Sequence, residues 1–306
     1  MNINDLHYEN KFVAFIDILG FKSTIEQIDN DDNDLFNLVC NILCYLKEES
    51  IEPDSEHSLP VYTEQDGRLI ETALGNPVIT AISDCVVIST DDTFDGFKSI
   101  CNLVTKLFAR LYLDGIFMRG AITYGKVCHT NEILFGTAYQ LAYQKEETEA
   151  IYPRVIIDKS VISRLNTEYR HGVFPFTEFM IGEDVNEVMY LRPFPFLYFP
   201  YMTASWSNFL IIALGEIIYK LNMSDERVSG YSARHKELST LFGWNQKYGC
   251  NICFIGGNKT VADKYIWLSN EFNKTLIDHN DLIMEDNNNK PIPKIVFESD
   301  VWSIDH

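Results

Sequence analysis

A chain of 306 residues with 46% hydrophobic and 23% charged residues is long and apolar enough to bury one large core or two small ones. Its 20 Phe and 16 Tyr exclude a chain that is disordered throughout. With 25 Lys and Arg against 44 Asp and Glu, the net charge of −19 argues against nucleic acid and anionic membrane surfaces as partners, but not against a single nucleotide neutralised by metal ions.

Residues 11–18 (KFVAFIDI) form a nearly continuous apolar run, the pattern of a strand buried on both faces, closed by Gly20. In a strand, Val13, Phe15 and Asp17 share one face. Residues 34–49 repeat Leu35, Leu38, Val39, Ile42 and Leu46 at helical spacing behind a cap at Asn33 or Asp34. Residues 51–76 read as irregular, with a short strand near Val61 and Tyr62. Residues 77–90 (PVITAISDCVVIST) predict two β-branched strands broken at Ser83-Asp84. A second amphipathic helix follows over 93–113, through Phe97, Ile100, Val104, Leu107 and Leu111. The strand expected over 116–124 ends at Gly125, and a helix over 137–149 and a strand over 153–158 come next. Residues 174–191 read as a hairpin around Gly182.

This order predicts an α/β (α+β) sandwich, a mixed sheet with helices on one face. After about residue 200 the pattern turns helical, over 204–221, 232–241 and 261–277. The expected division is a domain over 10–200 and a mainly helical region over 201–306. The uncharged stretch 193–215 is interrupted by Pro193, Pro195, Pro200, Ser205, Ser207 and Asn208, so it reads as a strand end, a turn and a buried helix rather than a membrane span. Seven cysteines, mostly in apolar runs, and an N-terminal segment without an apolar signal point to a reduced, cytoplasmic setting. Cys250 and Cys253 form one CxxC with no second pair at zinc spacing. His7, His57, His129 and His171 lack partners at metal-ligand spacing.

Two carboxylates stand in surroundings that penalise them. Asp17 ends the first buried strand and Asp84 sits in the break of the hairpin. If those strands are neighbours, the carboxylates meet at one edge and, ~4 Å apart, repel by roughly 4 kcal/mol at an effective dielectric of 20. A divalent cation relieves this, and hard oxygen ligands suit Mg²⁺ or Mn²⁺; a solvated aspartate at each strand end is the alternative.

The surrounding segments carry a resemblance. FIDILGF at 15–21 resembles the first metal motif of the class III nucleotide cyclases, and ISDCVVIS at 82–89 is similar to their second metal hairpin. MRGAITYGKV at 118–127 resembles the strand that follows, FGTAYQLAYQKE at 135–146 the next helix, and PRVIID at 153–158 the strand after it. Departures accompany the likeness. Ser83 replaces the hairpin glycine, and Gln140 and Gln144 stand at the family's transition-state asparagine and arginine, with Lys145 beside the latter. Thr80 and Ile133 occupy the positions where adenylate cyclases carry the lysine and aspartate that read adenine. The intact aspartate pair, the small hairpin and the acidic chain resemble the pyrimidine cyclases of Pycsar anti-phage systems.

That resemblance implies conversion of UTP to 3′,5′-cyclic UMP and pyrophosphate, with CTP, a purine nucleotide, or a catalytically silent nucleotide-binding module as alternatives. It implies two divalent ions, Mn²⁺ or Mg²⁺, bridged by Asp17 and Asp84 and completed by the carbonyl of Ile18. Backbone amides of Leu19, Gly20 and Phe21, where the next helix starts, would bind phosphate. Arg119 is either a phosphate contact or a structural ion pair, and Lys145 either neutralises transition-state charge or is a solvated helix lysine. Tyr62 would stack on the base, with Thr80 and Gln140 also facing the nucleotide. The family's sites lie between two domains, so a homodimer with shared active sites is implied, its product read by a separate cyclic-nucleotide effector in antiviral defence.

Overall fold

In a computed structural model the described residues are 6–30, 61–65, 68–72, 75–113, 116–168, 180–194, 250–252, 259–278 and 295–297, with isolated positions between 33 and 44. In chain order the elements are β1 (Glu9–Ile18), α1 (Phe21–Ile28), β2 (Val61–Gln65), β3 (Arg68–Thr72), β4 (Val78–Ile82), β5 (Cys85–Asp91) and α2 (Phe94–Leu113). They continue with β6 (Met118–His129), β7 (Leu134–Gly136), α3 (Thr137–Thr148), β8 (Val155–Ile157), α4 (Lys159–Glu168), β9 (Ile181–Glu183) and β10 (Met189–Leu191). Last come β11 (Cys250–Ile252), α5 (Lys259–Asp278) and β12 (Ile295–Phe297).

The expected mixed α/β sheet is present. Eight strands form it in the order β4-β5-β1-β6-β8-β10-β9, with β7 added to β6. β1 pairs antiparallel with both β5 and β6, while β6 and β8 run parallel. The first strand of the chain thus becomes a central strand, and Phe12 to Ile16 are all buried.

A strand buried on both faces needs cover on both faces. Phe12 packs on Phe97 of α2 with ring centroids 5.6 Å apart, and on Tyr124 of β6 at 5.3 Å. Arg164 of α4 lies over the Tyr124 ring of that same face. Phe15 points the other way and meets Tyr139 and Tyr143 of α3. Helices therefore cover both faces, which corrects the expectation of helices on one face only; the unbroken apolar run of β1 already demanded it.

The hairpin over 77–90 forms with its break at Ser83-Asp84, Ile82 pairing with Cys85. Ser83 takes a φ of 56°, the left-handed conformation that glycine adopts without strain. α2 starts behind Thr93, whose Oγ1 accepts from the Gly96 amide at 2.9 Å, and all five of its expected apolar positions are buried. Two boundaries move. β6 runs on through Gly125 to His129, because β7 pairs with its far end, Val127 to His129 facing Leu134 to Gly136. The late hairpin turns at 184–187 instead of at Gly182, where the Asp184 carboxylate accepts from the Asn186 and Val188 amides. Gly182 lies inside β9 opposite Tyr190, where a Cβ would meet the Tyr190 ring at 2.7 Å.

The segment over 51–76 holds a second, two-stranded sheet, β2 with β3. Within 34–49 the described residues are helical, and the helix over 261–277 is α5. The helices expected over 204–221 and 232–241, and the stretch from 195 to 215, lie outside the described residues.

The chain divides into two compact units, one of 1–21, 38–107 and 118–191, the other of 22–37, 108–117 and 192–306. The first holds the large sheet. The second has an aromatic core in which Tyr112 packs on Phe194 and Phe194 on Phe272, with centroids 5.7 and 5.4 Å apart. Among the described residues no helix is long and apolar enough to cross a membrane.

Candidate active site

Sheet pairing brings the two penalised carboxylates together. Asp17, the last but one residue of β1, pairs with Cys85 on one side and Arg119 on the other. Asp84 sits in the turn just before Cys85, and the Ile18 amide donates to the Asp84 carbonyl at 2.9 Å, clamping the turn to the end of β1. One ligand atom from each of Asp17, Asp84 and Cys85 lies within 4.8 Å of the other two.

One guanidinium and a further carboxylate adjoin the cluster. Arg119 Nε lies 3.3 Å from Asp17 Oδ2 and 2.7 Å from Glu146 Oε1. Glu146 is buried, on the helical stripe Ala138, Ala142, Glu146 that α3 turns toward the sheet. Among the described residues, Asp17 and Glu146 both pair with Arg119 and Asp84 lies beside Asp17, an arrangement of adjacent carboxylates that attracts a divalent cation. Burial first, then Asp84 and Asp17, pushes the Cys85 thiol up to about 12. Without a cation Cys85 is therefore neutral, and the ionisable oxygen donors are the two hard carboxylates, which fit Mg²⁺ or Mn²⁺.

Past Ile18 the chain turns at Leu19 and Gly20 and enters α1 at Phe21, where the phosphate-binding amides are expected. Gly20 has a φ of +78°, and a Cβ built on it meets nothing within 4 Å, so the space over that backbone is open. Behind the site, a Cβ on Gly120 would come within 2.3 Å of the Phe15 carbonyl oxygen, so only glycine lets β6 lie this close to β1 next to Arg119.

The other expected residues divide. Arg119 joins the cluster as an ion pair. Lys145 does not: its Nζ pairs with Glu149 at 2.7 Å and Asp158 at 3.3 Å. Gln140 is exposed on α3. Thr80 is half-buried on β4 and bonded to His129, and Ile133 is half-buried, its carbonyl accepting from the Thr130 amide. The backbone of Tyr62 lies in β2, and its side chain is outside the described residues.

Three residues escaped the sequence reading: Glu146, Cys85 and His129. Glu146 had a signal, a carboxylate on the alanine stripe of α3 at i, i+4, i+8. Cys85 and His129 had none, because their partners come from sheet pairing.

Among solved structures, one likeness is to the monomeric guanylyl cyclase domain of the RhoGC fusion protein from the aquatic fungus Blastocladiella emersonii. It has a TM-score of 0.37 and 16% identity, over 61% of this chain and 96% of that one. Another is to a bacterial light-regulated adenylyl cyclase, with a TM-score of 0.34 and 15% identity, over 52% of this chain and 46% of that one. No protein-family profile and no curated protein matches the chain.

Proposed function

We propose that the protein is a nucleotide cyclase that converts UTP to 3′,5′-cyclic UMP and pyrophosphate with two divalent cations. The observation that carries the reading is the convergence of Asp17 and Asp84 beside Cys85, within 4.8 Å, at the end of a central strand. Support for a pyrimidine is the presence of Thr80 and Ile133 where purine cyclases carry their base-reading residues. The likeness to the Pycsar enzymes extends the reading to a cytoplasmic messenger, read by a separate effector in antiviral defence.

In this reading Asp17 and Asp84 hold the ions, with the Ile18 carbonyl as a further ligand. Held by these residues, divalent cations would supply Lewis acidity toward the ribose 3′-hydroxyl and charge neutralisation toward the triphosphate. Glu146 holds Arg119 against Asp17 and so fixes the carboxylate's orientation. The turn backbone over Leu19, Gly20 and Phe21 takes the phosphates, with Gly20 at a φ of +78° permitting the turn. Tyr62 stacks on the base. Gln140, exposed on α3, reaches the nucleotide of a second copy of the chain, and a homodimer with two shared sites follows. Lys145 acts across that interface once it leaves Glu149 and Asp158.

The test is incubation of the pure protein with each of ATP, GTP, CTP and UTP and Mn²⁺, with products identified by mass and chromatography. Cyclic UMP is expected as the main product. Equal or better turnover of ATP or GTP refutes the pyrimidine assignment, and no cyclic product from any triphosphate refutes the cyclase.

A further inference from the structure

Three polar side chains are linked across the surface that carries Asp17. Thr80 comes from β4, Ser89 from β5 and His129 from the far end of β6. His129 Nδ1 lies 2.8 Å from Ser89 Oγ, and its Nε2 lies 2.9 Å from Thr80 Oγ1. Ser89 is fully buried, His129 is 5% exposed, and Thr80, on the edge strand, is the member that reaches the surface. Burial, helped by the charge of Lys11, pulls the His129 pKa down to about 4, so the ring is neutral at ordinary pH.

A neutral imidazole has one donor nitrogen and one acceptor nitrogen, and both of its neighbours are hydroxyls that do either. The chain therefore has two states of equal charge in which both ring nitrogens are paired. In the first, Ser89 donates to Nδ1, Nε2–H donates to Thr80, and the Thr80 hydroxyl hydrogen is left to donate outward. In the second, Thr80 donates to Nε2, Nδ1–H donates to Ser89, and Thr80 faces outward only as an acceptor. The 4-oxo group of uracil needs the first state and the 4-amino group of cytosine needs the second.

We propose that His129 is a positioning residue whose tautomer sets whether Thr80 offers a donor or an acceptor to a pyrimidine base, so that one site takes both UTP and CTP. This rests on the cyclase reading, in which Thr80 faces the base. Ser89 is the control point. Without its hydroxyl, a protonated Nδ1 becomes a buried N–H with no acceptor, the costlier of the two unpaired states. Ser89→Ala then favours the first state.

Two measurements on the full chain test this. With Ser89→Ala, the UTP-to-CTP ratio of kcat/KM is expected to rise about fivefold or more, the size of one misplaced hydrogen bond. Thr80→Ser keeps the hydroxyl and should keep the wild-type ratio. A purely structural network instead lowers both substrates together and leaves the ratio where it was. The second measurement needs no substitution in the chain under study: nitrogen-15 spectra of the histidine rings with α,β-methylene-UTP or α,β-methylene-CTP bound, His129 being assigned by its loss in His129→Gln. The proton is expected on Nε2 with the uridine analogue and on Nδ1 with the cytidine analogue. The same tautomer with both, or an unmoved ratio in a wild type that makes cyclic pyrimidine nucleotides, overturns the relay alone. A wild type that cyclises no pyrimidine triphosphate overturns the cyclase reading and the relay with it.

Discussion

The two faces of the large sheet are built from the same strands and serve opposite ends. Phe12, Ala14 and Ile16 of β1, with Val86 and Ile88 of β5, form a buried apolar surface on which Phe97 of α2 packs against Phe12. One residue out of phase, Val13 and Phe15 begin an equally apolar surface against α3, but it ends in Asp17, Cys85 and Arg119, with the Thr80–His129–Ser89 chain along it. A period of two lets one strand supply a core and a site at once. The first face carries stability. The second holds polar groups, of which Asp17 with Arg119 and His129 with Thr80 and Ser89 are held by partners distant in sequence.

The largest effects should separate these roles. Asp84→Ala should lower turnover on the order of a thousandfold, since several kcal/mol of transition-state stabilisation are lost with the cations. Its melting temperature without metal should hold or rise, because a repelling carboxylate is gone. Asp17→Ala should do the same to turnover, with less relief in stability because Asp17 also faces Arg119. On the other face, Phe12→Ala should cost about 3–5 kcal/mol of stability by leaving a cavity against Phe97 and Tyr124. Thermal melts beside turnover assays of these variants check the contrast; an Asp84→Ala protein that melts early yet still turns over would break it.

A smaller effect lies within the polar face. His129 titrates near 6.5 in an unfolded chain and at about 4 in the folded one. Between those values the unfolded chain takes up a proton that the folded protein refuses. This contribution to stability is complete above about pH 6.5 and is lost as pH falls toward 4, by roughly 3.5 kcal/mol at most, at about 1.4 kcal/mol per unit. His129→Gln should flatten the pH dependence of the denaturation midpoint in that window relative to wild type, and matching slopes would show that the ring is not held neutral.

The smallest effect sharpens the turn that presents Asp84. Ser83 holds a φ of 56°, which costs a residue with a Cβ roughly 1 kcal/mol. Ser83→Gly should relieve part of that and raise stability by about 0.5 kcal/mol after the extra chain entropy of glycine, read as a higher urea midpoint at unchanged slope. Ser83→Val should move the midpoint the other way.

Local periodicity and turn chemistry, which are properties of neighbouring residues, determined β1, the 77–90 hairpin, α2, α3 and the placement of Asp17 and Asp84 at element ends. They also marked β1 as a strand buried on both faces, although the element order predicts a sheet with helices on one face only. They did not determine which strands lie side by side. The order β4-β5-β1-β6 is a set of long-range pairings, and only it decides that Asp17 meets Arg119, 102 residues away, and that His129 lies between Thr80 and Ser89, 49 and 40 residues away. The end of β6 shows the same limit on a smaller scale: Gly125 reads as a stop in isolation, and the strand continues because β7 supplies hydrogen-bond partners for residues 127–129. A backbone group is indifferent to sequence distance and takes whatever partner the sheet brings to it, so the ends of strands and the companions of buried polar groups were settled by tertiary structure alone.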